Sequence, residues 1–257
     1  MPVIRVGLGP PCPWCVLPRR REQNGGMKIG IIGAGNIGGT LTRRLTQLGH
    51  EVEVANSRSP ETLQDLAGET GATAVAAQQA AKGKQLVVLT IPEAQVLELP
   101  NGLFAGPHDD TVVVDTGNYY PRQRDGRIAA IEAGVPESRW VEQQLDHPVV
   151  KAFNNIYADH LLSNGKPAGT PGRIALPVSG DDPAAKQVVV DLVDELGFDP
   201  VDAGDLEESW HQQPGSPVYT TDRDKEGVTR GLADASPNRA PEWSATDQSP
   251  GTFTDPR

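Results

Sequence analysis

The chain has 257 residues, of which 37% are hydrophobic and 22% are charged, and its formal net charge is -11. This composition is typical of one large or two small globular domains. No run approaches the roughly 20 apolar residues that span a bilayer, so the sequence predicts a cytoplasmic protein with no membrane partner. The acidic balance and the lack of a basic stripe argue against nucleic acid as a partner.

The first 26 residues carry both cysteines, spaced as Cys12-Pro13-Trp14-Cys15, followed by three arginines. Thiols at this spacing are typical of redox motifs, but such a motif needs a strand before it and a helix after it. Prolines on both sides disfavour both elements, and two thiols cannot complete a four-ligand zinc site. We therefore predict a disordered extension over residues 1–26 and no metal site.

From Met27 onward, apolar residues recur alternately at strand spacing and at helical spacing, which predicts strands and helices around a parallel sheet. The expected strands cover residues 28–32, 51–55, 72–75, 85–91, 111–115, 149–154, 174–178 and 198–201. The expected helices are one ending near Gly49, one capped by Ser59, an alanine-rich one after residue 75, one over 183–196 and one capped by Thr221. The fold class that this alternation predicts is α/β with a doubly wound parallel sheet.

The run Gly33-Ala34-Gly35-Asn36-Ile37-Gly38 follows the first strand and opens the first helix. In a dinucleotide-binding βαβ unit, the three glycines make the tight turn, admit the pyrophosphate and allow close helix–strand packing. The helix N terminus then presents N–H groups and the positive end of its dipole to the phosphates. Glycine turns alone are common, so the strand–turn–helix context carries this prediction.

The run Asn56-Ser57-Arg58 follows the second strand, where an NAD-binding enzyme places Asp or Glu on the adenosine ribose. An acid at this position repels a 2′-phosphate, whereas a hydroxyl and an arginine attract it. The sequence therefore favours NADP(H) over NAD as the cofactor. The alternative is that Arg58 is an ordinary solvated surface charge.

Further candidates follow the later strands, at the edge where ligands bind in open α/β sheets. Thr90-Ile91-Pro92 either packs on the ribose and nicotinamide or simply ends the fourth strand. Thr116 and Asn118 are candidates for the nicotinamide end. Asn154 and Asn155 either bind a carboxamide or substrate carbonyl, or they are turn residues.

None of the five histidines belongs to a recognisable catalytic pair or triad. His147, just before the sixth strand, is the histidine best placed for a proton role. The catalytic residue stays unassigned, with Asn154, Asn155 and His147 as candidates. A missing triad argues against hydrolysis but is compatible with hydride transfer, because the cofactor carries that chemistry.

Four motifs together resemble the NADPH-dependent coenzyme F420 reductase family (F420H2:NADP oxidoreductase): 30–38, 56–58, 150–154 and 178–182. The pattern is also similar to the reductase domain of the STEAP metalloreductases and, more remotely, to pyrroline-5-carboxylate reductases. The segment 208–215 looks like a C-terminal segment found in many actinobacterial relatives, so the resemblance covers about residues 27–217.

This resemblance implies a Rossmann domain over residues 27–146 and a smaller C-terminal lobe over 147–235 that completes a cleft. The polar, proline-rich segment 236–257 is predicted to be disordered. Carried over to this sequence, the cofactor residues are Gly35, Asn36 and Ile37 at the pyrophosphate, Ser57 and Arg58 at the 2′-phosphate, Thr90 and Ile91 beside the nicotinamide, and Asn154 and Asn155 near the reacting face.

The reaction implied by the resemblance is hydride transfer between nicotinamide C4 and C5 of a deazaflavin, with coenzyme F420 as co-substrate. Alternatives from the same chain are a reductase of a flavin, an imine or a metal chelate, and a non-catalytic NADP(H)-binding sensor. In each enzymatic case the expected partner is a small redox molecule, and a homodimer is compatible with the sequence.

Overall fold

The computed structural model describes residues 26–104 and 110–252. Within them, six strands form one parallel sheet: β1 (Lys28–Ile32), β2 (Glu51–Ala55), β3 (Thr73–Ala74), β4 (Leu86–Leu89), β5 (Val112–Asp115) and β6 (Val149–Lys151). The strand order β3-β2-β1-β4-β5-β6 is that of the Rossmann fold, which confirms the predicted fold class. Both cysteines and His108 lie outside the described residues.

Helices cover both faces of the sheet. In the described parts of the chain they are α1 (Asn36–Gln47), α2 (Gln64–Thr70), α3 (Ala77–Ala81), α4 (Glu93–Val96), α5 (Ala129–Glu132), α6 (Glu137–Leu145), α7 (Ala158–Ser163), α8 (Pro183–Glu195) and α9 (Lys225–Ala233). Apolar residues of α1, α2, α7 and α8 form one core cluster with the sheet, and those of α3 to α6 form a second. None of the described helices is long and apolar enough to cross a membrane.

Alternation along the strands explains this two-sided core. Ile29 and Ile31 lie in the first cluster, whereas Ile32 lies in the second. All four residues of β4 are buried, as expected for a parallel strand covered on both faces. The predicted bounds of β1 and β2 are confirmed because this burial pattern permits only one register.

The C-terminal part is built on a second parallel pair, β7 (Ala175–Val178) and β8 (Asp199–Asp202), connected through α8. An antiparallel bridge joins Lys151 of β6 to Ser179, with N···O distances of 2.8 and 3.1 Å. The structure differs from the predicted boundary at residue 147, because β6 pairs with β5 in the central sheet. Residues of the central sheet and of the C-terminal part also pack together in the first core cluster.

The last helix begins later than the sequence predicts. Asp224 caps α9 by accepting the Gly227 N–H at 2.9 Å. The hydroxyl of Thr221, the predicted cap, donates to the Val218 carbonyl at 3.1 Å instead. Two acceptable cap residues lie within three positions, and the carboxylate is the one that reaches the free N–H groups.

Residues 236–252 pack on the Rossmann domain, which differs from the predicted disorder. The Arg122 guanidinium donates to the backbone carbonyls of residues 246, 247 and 249, and Arg127 donates to that of residue 245. Trp243 lies against the rings of Tyr120 and Tyr219, with centroids 6.2 and 5.8 Å away. The polar composition does not indicate these contacts, because the segment contributes mainly backbone carbonyls, which accept hydrogen bonds from arginines far away in the sequence.

Candidate cofactor-binding site

The glycine turn between β1 and α1 has the geometry that a bound phosphate requires. Gly33 adopts φ +110°, which favours glycine, and a Cβ there would overlap the Thr90 carbonyl. A Cβ on Gly38 would overlap the Gly33 carbonyl, so Gly38 permits close packing of α1 on the turn. Gly35 differs, because a Cβ on it would meet no atom within 4 Å. Gly35 therefore faces open space at the start of the helix.

The start of α1 offers unpaired N–H groups to that space. Gly35 is the N-cap, no side chain caps the first turn, and no acidic residue lies in it. The positive end of the helix dipole is therefore available to an anion. Thr90 anchors the turn from β4, because its hydroxyl donates to the Gly33 carbonyl at 2.5 Å.

A cleft of about 1080 Å³ opens beside the turn, which matches the upper range of ligand-pocket volumes. It is lined by most of the predicted cofactor residues, namely Gly33, Gly35, Asn36, Asn56, Ser57, Arg58, Thr90, Ile91 and Pro92. Ile37 packs against the first core cluster instead, and Gly38 is buried. Another part of the wall comes from residues around α7, including Tyr157 and Leu162.

Asn56 shapes the loop after β2. Its Oδ1 accepts the Arg58 N–H at 2.9 Å, and its Nδ2 donates to the Thr62 hydroxyl at 3.0 Å. These bonds make a turn that leaves the side chains of Ser57 and Arg58 exposed at the cleft. Asn56 therefore positions its two neighbours, while their side chains stay available to a ligand.

Two arginines line this cleft, and they differ in charge compensation. Arg43 forms a bidentate pair with Glu69, with N···O distances of 2.7 and 2.6 Å. Within the described residues, Arg58 has no ion pair. The cation free to meet a phosphate is thus Arg58, at the position where the sequence predicts 2′-phosphate recognition.

The residues predicted for the nicotinamide end are engaged within the protein. The Thr116 hydroxyl donates to the Leu89 carbonyl at 3.0 Å. The Asn154 amide donates to Asn118 Oδ1 at 3.1 Å and to the Gln212 carbonyl at 2.7 Å, and it accepts from Gln212 Nε2 at 3.1 Å. Thr116 therefore ties the end of β5 to β4, whereas Asn154 links Asn118 and the end of β6 to the C-terminal segment. Other residues form the cleft wall.

The two remaining candidates also lie away from the cleft. Asn155 is fully buried, and its amide donates to the Val218 carbonyl at 3.3 Å. His147 lies at the N-terminal end of β6, with its ring against Phe104, whereas the glycine turn lies at the C-terminal ends of the strands. The geometry therefore gives no support to the proton role predicted for His147.

A buried charge cluster, which the sequence did not reveal, lies beneath the loop 116–118. Lys151 Nζ is 3.2 Å from Asp115 Oδ2 and donates to the Gly117 carbonyl at 2.5 Å. Asp115 Oδ1 accepts the Gly117 N–H at 2.8 Å. Both polar groups of this glycine are thus held by one buried ion pair. Its sequence signal is a lysine inside an otherwise apolar strand.

Glu93 completes the cluster as a fully buried carboxyl group whose two oxygens have no hydrogen-bond partner in the described residues. Burial and the charge of Asp115 raise the pKa of Glu93 well above its ordinary value. Burial alone would lower the pKa of Lys151, but the charges of Asp115 and Glu137 outweigh it and raise that pKa. The raised pKa favours the protonated form of Glu93 beside the pair of Lys151 and Asp115.

Residues 28–119, from β1 through β5, match the family model described as NADP oxidoreductase, coenzyme F420-dependent. The match covers 92 of the 257 residues. The resemblance inferred from the motifs is therefore confirmed, and its most informative motifs, the glycine turn and the Ser57–Arg58 loop, lie inside the match.

Two curated relatives match parts of the chain. YjhV of Escherichia coli K12 is 49% identical over 67 residues, which are 26% of this chain and 47% of YjhV. The 3-sulfolactaldehyde reductase of Escherichia coli K12 is 29% identical over 109 residues, which are 41% of this chain and 36% of that enzyme. The chain thus spans less than half the length of either relative.

Solved structures extend the likeness beyond the matched region. The hypothetical protein SMa0349 of Sinorhizobium meliloti is 29% identical with a TM-score of 0.64, covering 78% of this chain and 96% of its own. A protein from Arthrobacter sp. FB24, proposed to be an F420-dependent NADP reductase, is 27% identical with a TM-score of 0.57, covering 70% and 86%. An imine reductase from Pseudomonas sp., 20% identical with a TM-score of 0.50 over 70% and 56%, shares the fold.

Proposed function

We propose that this protein is an NADP(H)-dependent reductase that transfers a hydride between nicotinamide C4 and a deazaflavin of the coenzyme F420 type. The proposal depends on one observation: Arg58, which is exposed and has no ion pair with any described residue, lies beside an open glycine turn. The deazaflavin is favoured by the family of residues 28–119 and by the likeness to the Arthrobacter protein.

The cleft fits NADP(H) at two places. Gly35 leaves room for the pyrophosphate at the N terminus of α1, where the dipole favours negative charge. Arg58 offers a planar guanidinium that can hold a 2′-phosphate through two hydrogen bonds, with the Ser57 hydroxyl beside it. Bound NADPH supplies the hydride, and the protein supplies position and shelter from water.

The proposal is tested by mixing the purified protein with NADPH and oxidised coenzyme F420 and following the F420 absorbance. We expect bleaching with NADPH, much slower bleaching with NADH, and recovery of absorbance when NADP⁺ is added to reduced F420. A flavin, a cyclic imine and a ferric chelate are assayed in parallel. Turnover of one of these without F420 would replace the proposed acceptor. Tight NADPH binding without turnover of any acceptor would instead identify a non-catalytic sensor.

A further inference from the structure

Reduction of a conjugated acceptor needs a proton as well as a hydride, so a proton donor is expected beside the nicotinamide. The hydroxyls predicted for that end are committed elsewhere, since Thr90 donates to the Gly33 carbonyl and Thr116 to the Leu89 carbonyl. Asn154 is saturated by its hydrogen bonds to the protein. The donor must therefore come from another part of the cleft wall.

Tyr157, which immediately precedes α7, meets this requirement. It lines the same cleft as the glycine turn, and 53% of its surface is exposed although it is a large aromatic residue. A phenol carries its proton at neutral pH and can donate it to a ligand. The other three tyrosines of the chain are buried or half-buried, so Tyr157 alone offers an exposed phenol.

A hydrogen-bonded pair holds the Tyr157 ring in place. The ring of His160 packs edge-on against Tyr157, with centroids 5.4 Å apart. His160 Nδ1 in turn lies 2.8 and 2.9 Å from the two carboxylate oxygens of Asp222. Asp222 belongs to the C-terminal part, so this part fixes the orientation of a residue in the cofactor cleft.

Tyr157 follows the C-terminal end of β6, at the edge of the sheet where the glycine turn and the loop 116–118 also lie. Asn154, three residues earlier in the chain, donates to Asn118 Oδ1 of that loop at 3.1 Å. Tyr157 also lines the cleft beside the glycine turn. The segment that carries Tyr157 therefore connects the cofactor cleft with the predicted nicotinamide end.

We propose that Tyr157 is the catalytic acid that protonates the acceptor, positioned by His160 and Asp222; this rests on the proposed function. A C–H bond forms on the acceptor carbon at the expense of the C4–H bond of NADPH. The Tyr157 O–H bond breaks, and its proton passes to the nitrogen or oxygen conjugated with that carbon. The tyrosinate then takes a proton from water, so the net reaction consumes NADPH, acceptor and one proton.

The location is tested without turnover by nitrating the protein with tetranitromethane and mapping the modified peptides. Because Tyr157 is the exposed tyrosine, we expect it to react first. Saturating NADP⁺ should slow its nitration at least threefold, while NADPH binding by the Tyr157→Phe variant should stay within twofold of the wild type. Nitration of Tyr157 at the same rate with and without NADP⁺ would overturn the proposal.

The role is tested by F420 reduction in the Tyr157→Phe and Asp222→Asn variants. Loss of the phenol should lower kcat at least 30-fold with KM for NADPH unchanged, whereas Asp222→Asn should lower kcat by a smaller factor. Full activity of Tyr157→Phe would overturn the proposal. Protection of Tyr157 by NADP⁺ in a wild-type protein that does not reduce F420 would overturn the acceptor and support the location of Tyr157.

Discussion

Lys151 Nζ and Asp115 Oδ2 lie 3.2 Å apart in a buried ion pair between neighbouring strands β5 and β6. The pair also fixes Gly117, the glycine that follows β5, at both its N–H and its carbonyl. The loop at the predicted nicotinamide end thus depends on a charge that the sequence places inside an apolar strand.

Replacing Lys151 by methionine should destabilise the fold strongly. The substitution leaves Asp115 buried without its cation, which typically costs about 3–5 kcal/mol. Urea unfolding measures the change, and Lys186→Met is the matched control because Lys186 pairs with an exposed Asp202. That control should cost about 1 kcal/mol or less. Equal losses of stability in both variants would show that burial does not increase the cost of removing the lysine from its ion pair.

Replacing Glu93 by glutamine should make the protein more stable at neutral and alkaline pH. Because the pKa of Glu93 is raised in the folded state, the unfolded chain releases this proton first as pH rises. Between the two pKa values, the wild-type free energy of unfolding therefore falls by up to about 1.4 kcal/mol per pH unit. The advantage of Glu93→Gln should vanish below about pH 4, where both states are protonated.

Thermal unfolding across pH 4–8 measures this difference between wild type and Glu93→Gln. Glu51→Gln is the control, because Glu51 is exposed on β2 and should show no such trend. A wild-type protein that gains stability relative to Glu93→Gln as pH rises would contradict the raised pKa of Glu93.

Alanine substitutions at Gly35 and Gly38 should affect different properties, NADPH affinity in the first case and stability in the second. Gly35→Ala is expected to fold normally and to lose NADPH affinity, since its Cβ enters the open space beside the turn. Gly38→Ala should lose stability, because its Cβ would overlap the Gly33 carbonyl. NADPH titration and thermal unfolding separate the two effects. Normal NADPH affinity in Gly35→Ala would contradict the placement of the pyrophosphate beside Gly35.

Deleting residues 236–257 should destabilise the protein. Arg239 donates to the buried carboxylate of Glu137 at 2.5 Å, and its loss leaves that charge unpaired at a cost of about 3 kcal/mol or more. Arg230→Ala is the control, because it removes only an exposed pair with Glu226 and should cost about 1 kcal/mol or less. An unchanged melting temperature in the deletion variant would restore the predicted disorder of this tail.

Local patterns were enough to predict the sheet and the glycine turn, because strand alternation and the turn residues lie within a few positions of one another. The partners of Asn154 were not predictable, since Gln212 lies 58 residues further along the chain. In the sequence, Lys151 is part of an otherwise apolar strand, and only the structure shows that Asp115 lies beside it. The packing of residues 236–252 likewise depends on hydrogen bonds from Arg122 and Arg127, and the composition of this segment does not indicate these contacts.

The most direct test of the NADP(H) site is the affinity of the Arg58→Ala variant for NADPH and NADH, measured by titration of cofactor fluorescence. Loss of a charge-assisted contact to the 2′-phosphate should cost about 1.5–3 kcal/mol, or about 10- to 150-fold in NADPH affinity. NADH affinity should barely change, and Arg43→Ala should affect NADPH less because Glu69 already neutralises Arg43. Equal losses for NADPH and NADH in Arg58→Ala would contradict recognition of the 2′-phosphate by Arg58.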